Sequence, residues 1–472
     1  MADDGERAAG AAVRSFDERR VRRAVAHARA RGNVQRRPGR LMALAFAAVI
    51  GIGTLLLAGR AATAGEGHTS AIDALFTATS AVCVTGLIVV DTPTHWSTFG
   101  QVVILALIQV GGLGILFTAS LLGLVLSRRL GLQTRLSAAA ETRTTRLGEV
   151  RGVLLRVVVL SLSVEAVIAV VLGLRFWLAY DYDVGQASWL GVFHAISAFN
   201  NAGFALWSDN LMGFATDPWI CLPITVAVIV GGIGFPVLLE LRRHVRPARW
   251  SLHTKLTLSV TAILLLSGWV FVTVAEWGNP ATLGPFDVGG KLLAGFFQGS
   301  MPRTAGFNSV DIAGMNTGTL FGVDLLMFIG GGSAGTAGGL KVTTAAVLVM
   351  VTISELRGDP DVSVFDRRIR ASGQRQALSV AILGFTVVGT ATLVLAMTSS
   401  FSLDDVLYES ISAFSLVGLS TGITPQLERW QQVMLIVLMF VGRLGPVTFA
   451  SALAMRERGR LYRHPVGMPI IG

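Results

Sequence analysis

Four stretches of one pattern constrain this chain more than anything else in it: SAVCVTGL (80–87), SAFNNAGF (197–204), SMPRTAGF (300–307) and SAFSLVGL (412–419). In each, a Ser precedes a Gly by six residues: Ser80 and Gly86, Ser197 and Gly203, Ser300 and Gly306, Ser412 and Gly418. An aromatic residue stands four positions before each Ser (Phe76, Phe193, Phe296, Tyr408). A second glycine signal follows the first by 24 to 28 residues, as GGLG (111–114), GGIG (231–234), GGGSAGTAGG (330–339) and GRLG (442–445). Glycine fills 54 of the 472 positions, so one aligned column would be coincidence; three columns at nearly fixed spacing are an internal repeat.

The repeats are separated by apolar blocks such as LMALAFAAVIGIGTLLLAG (41–59) and LTLSVTAILLLSGWVFVTVA (256–275). Blocks of ~20 apolar residues match the hydrocarbon core of a bilayer. The charged share, 14%, is well under the usual quarter or so for soluble domains, and mean hydropathy is +0.63. The chain therefore reads as a polytopic, all-α membrane protein. Of 39 Lys and Arg, all but seven lie before the first block, between every second pair of blocks or after the last. Arg60, Arg175, Lys291, Arg303 and Arg429 lie on the opposite side, and Lys341 and Arg443 fall within apolar stretches. This is the positive-inside pattern, with both termini cytoplasmic. The net charge of +10 is thus a matter of topology, and no nucleic-acid partner is expected. Two cysteines, Cys83 and Cys221, imply no disulfide framework.

Each repeat reads as an apolar span, a short amphiphilic stretch ending in the motif, and a second span. The outer spans fall at 41–59 and 101–126, 152–178 and 219–241, 256–275 and 319–350, and 377–397 and 430–455. The expected organisation is an Arg-rich cytoplasmic tail (1–40), repeat 1 (41–126), repeat 2 with its preceding cytoplasmic loop (127–241), repeat 3 (242–350), repeat 4 (351–455) and a cytoplasmic C-terminus (456–472). The stretch before each motif is about 12 residues, roughly 18 Å of helix, too short to cross. It must dip in and return, so eight spans with four re-entrant helices are expected around one pseudo-fourfold axis.

Non-helical backbone at membrane depth is tolerated only inside protein or along a water-filled cavity. A short helix entering from outside points its negative C-terminal end at the membrane centre, which favours a cation. The residues that follow can turn their carbonyls inward: Cys83, Val84, Thr85 and Gly86; Asn200, Asn201, Ala202 and Gly203; Arg303, Thr304, Ala305 and Gly306; Ser415, Leu416, Val417 and Gly418. The side chains before each glycine differ, so backbone oxygens rather than side chains are the expected ligands, replacing the hydration shell of a monovalent cation. The alternative for each glycine alone is close helix packing.

At these residues the chain resembles the membrane subunits of the Trk/Ktr/HKT potassium-transporter superfamily. TSAVCVTGL, FNNAGF, RTAGFNSVD and SLVGLSTGIT are similar to its four pore-loop signatures, and GGSAGTAGGLK to its third-repeat gate loop. The likeness covers about 41 to 472, and eight spans with a PIIG ending are most like the Ktr-type subunit. The resemblance implies K+ uptake across the plasma membrane, one pore per chain, a homodimer, and control by a cytosolic nucleotide-binding ring of RCK/KTN type. It leaves open Na+ as a coupled or activating ion, and a Na+-conducting relative of the same fold is the alternative.

The third second-span carries six glycines within 330–339. Gly330, Gly331, Gly332, Ser333, Ala334, Gly335, Thr336, Ala337, Gly338 and Gly339 cannot sustain a helix at up to ~1 kcal/mol lost per glycine. A broken helix with a loop is expected, against a tight packing stripe; in the family this loop occludes the pore. Arg443 stands where the other repeats have Gly112, Gly232 and Gly331. A cation buried mid-membrane faces the bundle interior or a cavity, so Arg443 is expected near the axis, touching the glycine loop; a structural salt bridge is the alternative. Lys341 either joins this gate or snorkels. Asp91, Asp209 and Asp311 follow their filter glycines closely and form either a cation-attracting vestibule or ordinary loop charges. Arg303 is expected to point away from the axis, Glu165 to bind between helices or to an Arg, and Trp96, Trp177, Trp189, Trp207 and Trp430 to anchor at interfaces. Neither HExxH, G-x-S-x-G nor a P-loop occurs, which argues against a membrane enzyme, and a sensor would not need four re-entrant loops.

Overall fold

The computed structural model describes residues 37–65, 69–127 and 147–454. Nearly all of the Arg-rich tail expected over 1–40, the centre of the first cytoplasmic loop and the stretch from 455 onward lie outside them. The chain divides into two compact units, Phe46–Val447 and a smaller one of Met1–Ala45 with Thr448–Gly472. The first holds all four glycine motifs and the helices around them.

Helices dominate, in a fourfold order of long, short, long. Repeat 1 comprises α1 (Arg37–Leu57), α2 (Ala71–Cys83) and α3 (Thr98–Ser127). Repeat 2 comprises α4 (Leu147–Ala179), α5 (Val184–Phe199), α6 (Pro218–Ile233) and α7 (Phe235–Arg243). Repeat 3 has α8 (Leu252–Glu276), α9 (Val288–Ser300), α10 (Thr317–Phe328) and α11 (Val342–Arg357). Repeat 4 has α12 (Ala371–Thr398), α13 (Leu403–Ser415) and α14 (Arg429–Ala454). A small hairpin, β1 (Ser363–Val364) and β2 (Arg367–Arg368), joins repeats 3 and 4. Among the described residues, Leu155–Ala179, Leu252–Glu276 and Ala371–Thr398 are long and apolar enough to cross a membrane, as is the bent pair α6 and α7.

The four short helices start and stop for reasons written in their sequences. Each begins at a side chain that accepts an otherwise unpaired N–H: Ser70 from Asp73, Asp183 from Gly185 and Gln186, Asp287 from Gly290, and Ser402 from Asp405. Each is followed by a residue in the left-handed region two positions before the motif glycine: Val84 (φ 59°), Asn201 (φ 60°), Thr304 (φ 63°) and Leu416 (φ 60°). A residue in that conformation ends the helix, at a cost of about 1–2 kcal/mol for any side chain but glycine's. The glycines themselves also have positive φ, from 69° at Gly203 to 97° at Gly86.

The second long helices are less uniform than expected. The third is broken, with irregular chain between Phe328 and Val342. Contrary to the expected continuous span over 219–241, the second is broken as well, and α6 and α7 meet at 95°. Gly234 makes the corner (φ 101°), and Pro236 follows it. The two breaks satisfy each other: Gly332 donates to Gly232 O (2.8 Å), Thr336 to Gly231 O (3.3 Å), and Phe235 to Ala334 O (3.3 Å). Backbone groups freed from two helices thereby find partners, as burial requires. Glu240 on α7 then ties this corner to the start of α8, accepting from Ser251 N, Ser251 Oγ and Thr254 Oγ1.

One expectation about tryptophans is corrected: Trp96 is 1% exposed and packs inside rather than anchoring at an interface. Trp207 is half-buried and stacks on the buried His194 at 4.4 Å. Trp177 and Trp430 are exposed.

Candidate functional site

The four motif strips, Cys83–Gly86, Asn200–Gly203, Arg303–Gly306 and Ser415–Gly418, meet one another in a closed cycle. A Cβ built on Gly86 would lie 2.4 Å from the carbonyl oxygen of Ala202. One on Gly203 would lie 2.9 Å from Ala305 O, one on Gly306 2.7 Å from Val417 O, and one on Gly418 2.0 Å from Thr85 O. Each strip thus rests its glycine on the carbonyl that precedes the next strip's glycine, and the fourth returns to the first. Across the ring, Thr85 O is 3.3 Å from the Cβ position of Gly306. The four contacts between neighbouring strips are too short for a side chain, which is why all four positions are glycine.

The motif serines explain themselves here. Ser80 and Ser412 accept the N–H of Gly86 and Gly418 through their hydroxyls, both at 3.0 Å. Ser197 instead donates to Phe204 O (2.8 Å) and Ser300 to Phe296 O (2.8 Å). Behind the strips, Gly111, Gly231 and Gly442 pack on the carbonyls of Val82, Phe199 and Phe414, each near the end of a short helix. These are the second glycine signals of repeats 1, 2 and 4.

The ring also gathers buried polar atoms that no protein group satisfies among the described residues: Thr85 Oγ1, Asn200 Oδ1, Asn201 Nδ2, Thr304 Oγ1 and Ser415 Oγ. Buried polar groups are nearly always paired, so this concentration marks a place built for a polar occupant. No single column of the repeats reveals it, because these side chains fall one, two or three positions before their glycines and no column is polar for this reason in all four repeats.

Arg303 is buried at 7% exposure and turns away from the ring, donating to Thr261 O (3.0 Å), with Thr261 Oγ1 and Gly330 O at 3.4 Å. The glycine-rich loop lies where the short helices end. Thr336 Oγ1 donates to Asn201 Oδ1 (2.7 Å), and a Cβ on Gly338 would lie 2.5 Å from Ser415 O. Arg443, 2% exposed, spans loop and scaffold: Nη1 donates to Thr336 O (2.6 Å) and Nη2 to Gly111 O (3.1 Å). Arg443 therefore binds main-chain carbonyls, and a carboxylate partner is not among its described contacts. Lys341 folds back onto the same loop, donating to Ala337 O (2.6 Å) and lying 3.4 Å from Gly338 O.

Asp91 accepts from Thr94 (2.6 Å) and from Ser208 (2.7 Å), while Asp209 and Asp311 are exposed, Asp311 accepting the N–H of Ala313. Glu165 lies between helices, accepting from Gln109 (3.1 Å) and from Asn200 (3.2 Å) of the second strip, and among the described residues no arginine pairs with it. Cys83 and Cys221 are free and buried. Two ion pairs fasten the periphery: Arg175 to Asp217 at 2.8 Å, and Arg429 to Asp73 at the start of α2.

Comparison with known proteins agrees with this outline. The family described as TrkH, cation transport protein, matches residues 44–462. The Ktr system potassium uptake protein B of Bacillus subtilis is 41% identical, covering 92% of this chain and 97% of its own. The protein of the same name from Vibrio alginolyticus is 39% identical, over 85% and 88%. A potassium/sodium uptake protein, NtpJ, of Enterococcus hirae is 33% identical, over 89% and 93%. Among solved structures, the potassium transporter TrkH from Vibrio parahaemolyticus aligns with a TM-score of 0.69 at 18% identity, over 90% of this chain and 85% of the other, a likeness of fold.

Proposed function

This chain belongs to the TrkH family of cation transport proteins, and from that premise we propose that it is a K+-uptake protein of the plasma membrane whose ion crosses through the ring of four strips. One observation carries the reading: four repeats distant in sequence bring their glycines and preceding carbonyls into one closed cycle. Eight spans with four re-entrant short helices and both termini in the cytoplasm fit the element order and the basic loops. The names of the relatives, potassium uptake proteins in two organisms, support K+ as the cargo.

An ion entering the ring exchanges water for the carbonyls of Thr85, Ala202, Ala305 and Val417 and their neighbours, with the negative ends of four short helices aimed at the same point. Potassium, more weakly hydrated than sodium, loses less in that exchange. Inward movement follows the membrane potential, worth about 2.3 kcal/mol per 100 mV for one charge. Beyond the ring, the loop 330–339 with Lys341 and Arg443 is the gate. Arg443 sets a buried positive charge beside the path, and its hydrogen bonds to Thr336 and Gly111 hold the loop in place. Opening requires those bonds to break, a change we assign to a cytosolic nucleotide-binding partner of RCK/KTN type acting on a homodimer. Asp91, Asp209 and Asp311 contribute at most a diffuse negative potential at the outer mouth.

Rubidium uptake into cells lacking their own K+ importers tests the assignment. Uptake that K+ inhibits far better than Na+ does is expected. A chain that carries Na+ and ignores K+ would overturn the choice of cargo, and Na+ that merely stimulates Rb+ entry would identify it as an activating ion, in keeping with the relative named for both.

A further inference from the structure

Three of the four strips are held at their far ends by one device. In repeats 2 and 3 the residue three positions after the filter glycine is Leu206 and Ser309, and the main-chain N–H of each is taken by a side chain from that repeat's own short helix. Leu206 donates to Nε2 of His194 (3.2 Å) and Ser309 to Oε1 of Gln298 (3.1 Å); in repeat 4 the short helix reaches the outgoing chain through Glu409, whose carboxylate accepts from the hydroxyls of Ser420 and Thr424. His194 and Glu409 stand three positions before their motif serines and Gln298 two before. All three are wholly buried.

The acceptors differ because their loads differ. His194 fixes its own tautomer: Nδ1 lies 2.8 Å from Leu190 O, leaving Nε2 free to accept. Gln298 takes a single donor. Glu409 takes two, Ser420 Oγ on one carboxylate oxygen and Thr424 Oγ1 (2.9 Å) on the other, and a carboxylate offers an acceptor oxygen to each. Among the described residues no Lys or Arg pairs with Glu409. Its role is therefore to receive the outgoing chain, Ser420 to Thr424, directly behind strip 4.

We propose that Glu409, with His194 and Gln298 at the matching places, is a positioning residue of the filter, and that its grip on the outgoing chain sets the preference for K+ over Na+. A strip pinned only at its helix end could close around the smaller ion; pinned at both ends it cannot contract. The inference rests on the ring being the filter, so its test carries a control for that reading.

The measurement is the ratio of Rb+ to Na+ uptake by the full-length protein. Glu409→Gln keeps the shape but has one carbonyl oxygen for the two donors, and the ratio should fall about tenfold. Glu409→Asp, which keeps the carboxylate, should recover much of it. His194→Phe, which keeps a ring and removes the acceptor, should lower the ratio, whereas His194→Gln should largely keep it. Thr424→Val, which sheds one donor and leaves the carboxylate, gives the same reading in smaller measure if Glu409→Gln does not assemble. An unchanged ratio in Glu409→Gln and Thr424→Val, beside a lost ratio in Gly418→Ser, would overturn this inference and leave the filter standing. Reduced total uptake at an unchanged ratio would reduce Glu409 to a scaffold residue and overturn it too. If Gly418→Ser also keeps the ratio, the filter assignment itself fails.

Discussion

The ring of strips and the loop beside it are built on opposite plans. In the ring, each repeat supplies the same backbone: a left-handed residue, a glycine of positive φ, and a carbonyl resting on the next repeat. In the loop region the repeats part ways. Repeat 3 contributes the irregular chain 329–341, repeat 2 a right-angled corner at Gly234, repeat 4 the guanidinium of Arg443, and repeat 1 the carbonyl of Gly111. On the proposed reading the ring coordinates one ion, which four equivalent strips suit, and the loop moves, which unlike pieces suit because four equivalent loops would have to move together.

The comparison is broken most severely at the ring. Serine at Gly203 or at Gly418 brings a Cβ against a neighbour's main chain at a left-handed position, and each should cut the preference for Rb+ over Na+ by about a hundredfold. Similar losses in both repeats would support fourfold equivalence; a loss in one alone would break it. The loop should respond in rate instead. Arg443→Ala removes two hydrogen bonds from a buried charge and should raise Rb+ flux about tenfold at a nearly constant ion ratio, with Arg443→Lys in between. Gly234→Ala strains a φ of 101° and presses on Ser333 O, which should cost about 1 kcal/mol or more, read as a lower melting temperature in detergent. The smallest effect is expected of Thr336→Val, which frees Asn201 from the loop at little cost in shape and should raise flux about threefold.

The contrast also separates what the amino-acid sequence discloses from what it conceals. The ring was legible because repetition multiplies weak signals, and four Ser-to-Gly spacings each fall between apolar blocks. The break in repeat 3 was legible because six glycines between 330 and 339 defeat any helix. The break in repeat 2 was not: GGIGFP carries the same ingredients in fewer residues, and only the partner loop, by accepting and donating across it, makes the corner stable. Arg443 was legible as a departure from a glycine column. Its partners were not, because they are carbonyls, which every residue has. His194, Gln298 and Glu409 escaped notice for a related reason. They hold the chain leaving each strip with three different chemistries, and Gln298 stands one position out of register with His194 and Glu409.

The central claim is that an ion is held by main-chain oxygens from all four strips. Anomalous diffraction from crystals of the protein grown in Rb+ tests it directly. A peak on the ring's axis, bounded by the carbonyls of Thr85, Ala202, Ala305 and Val417, is the predicted result. A transport-active protein whose Rb+ peaks lie outside the ring, with none inside it, would contradict the account.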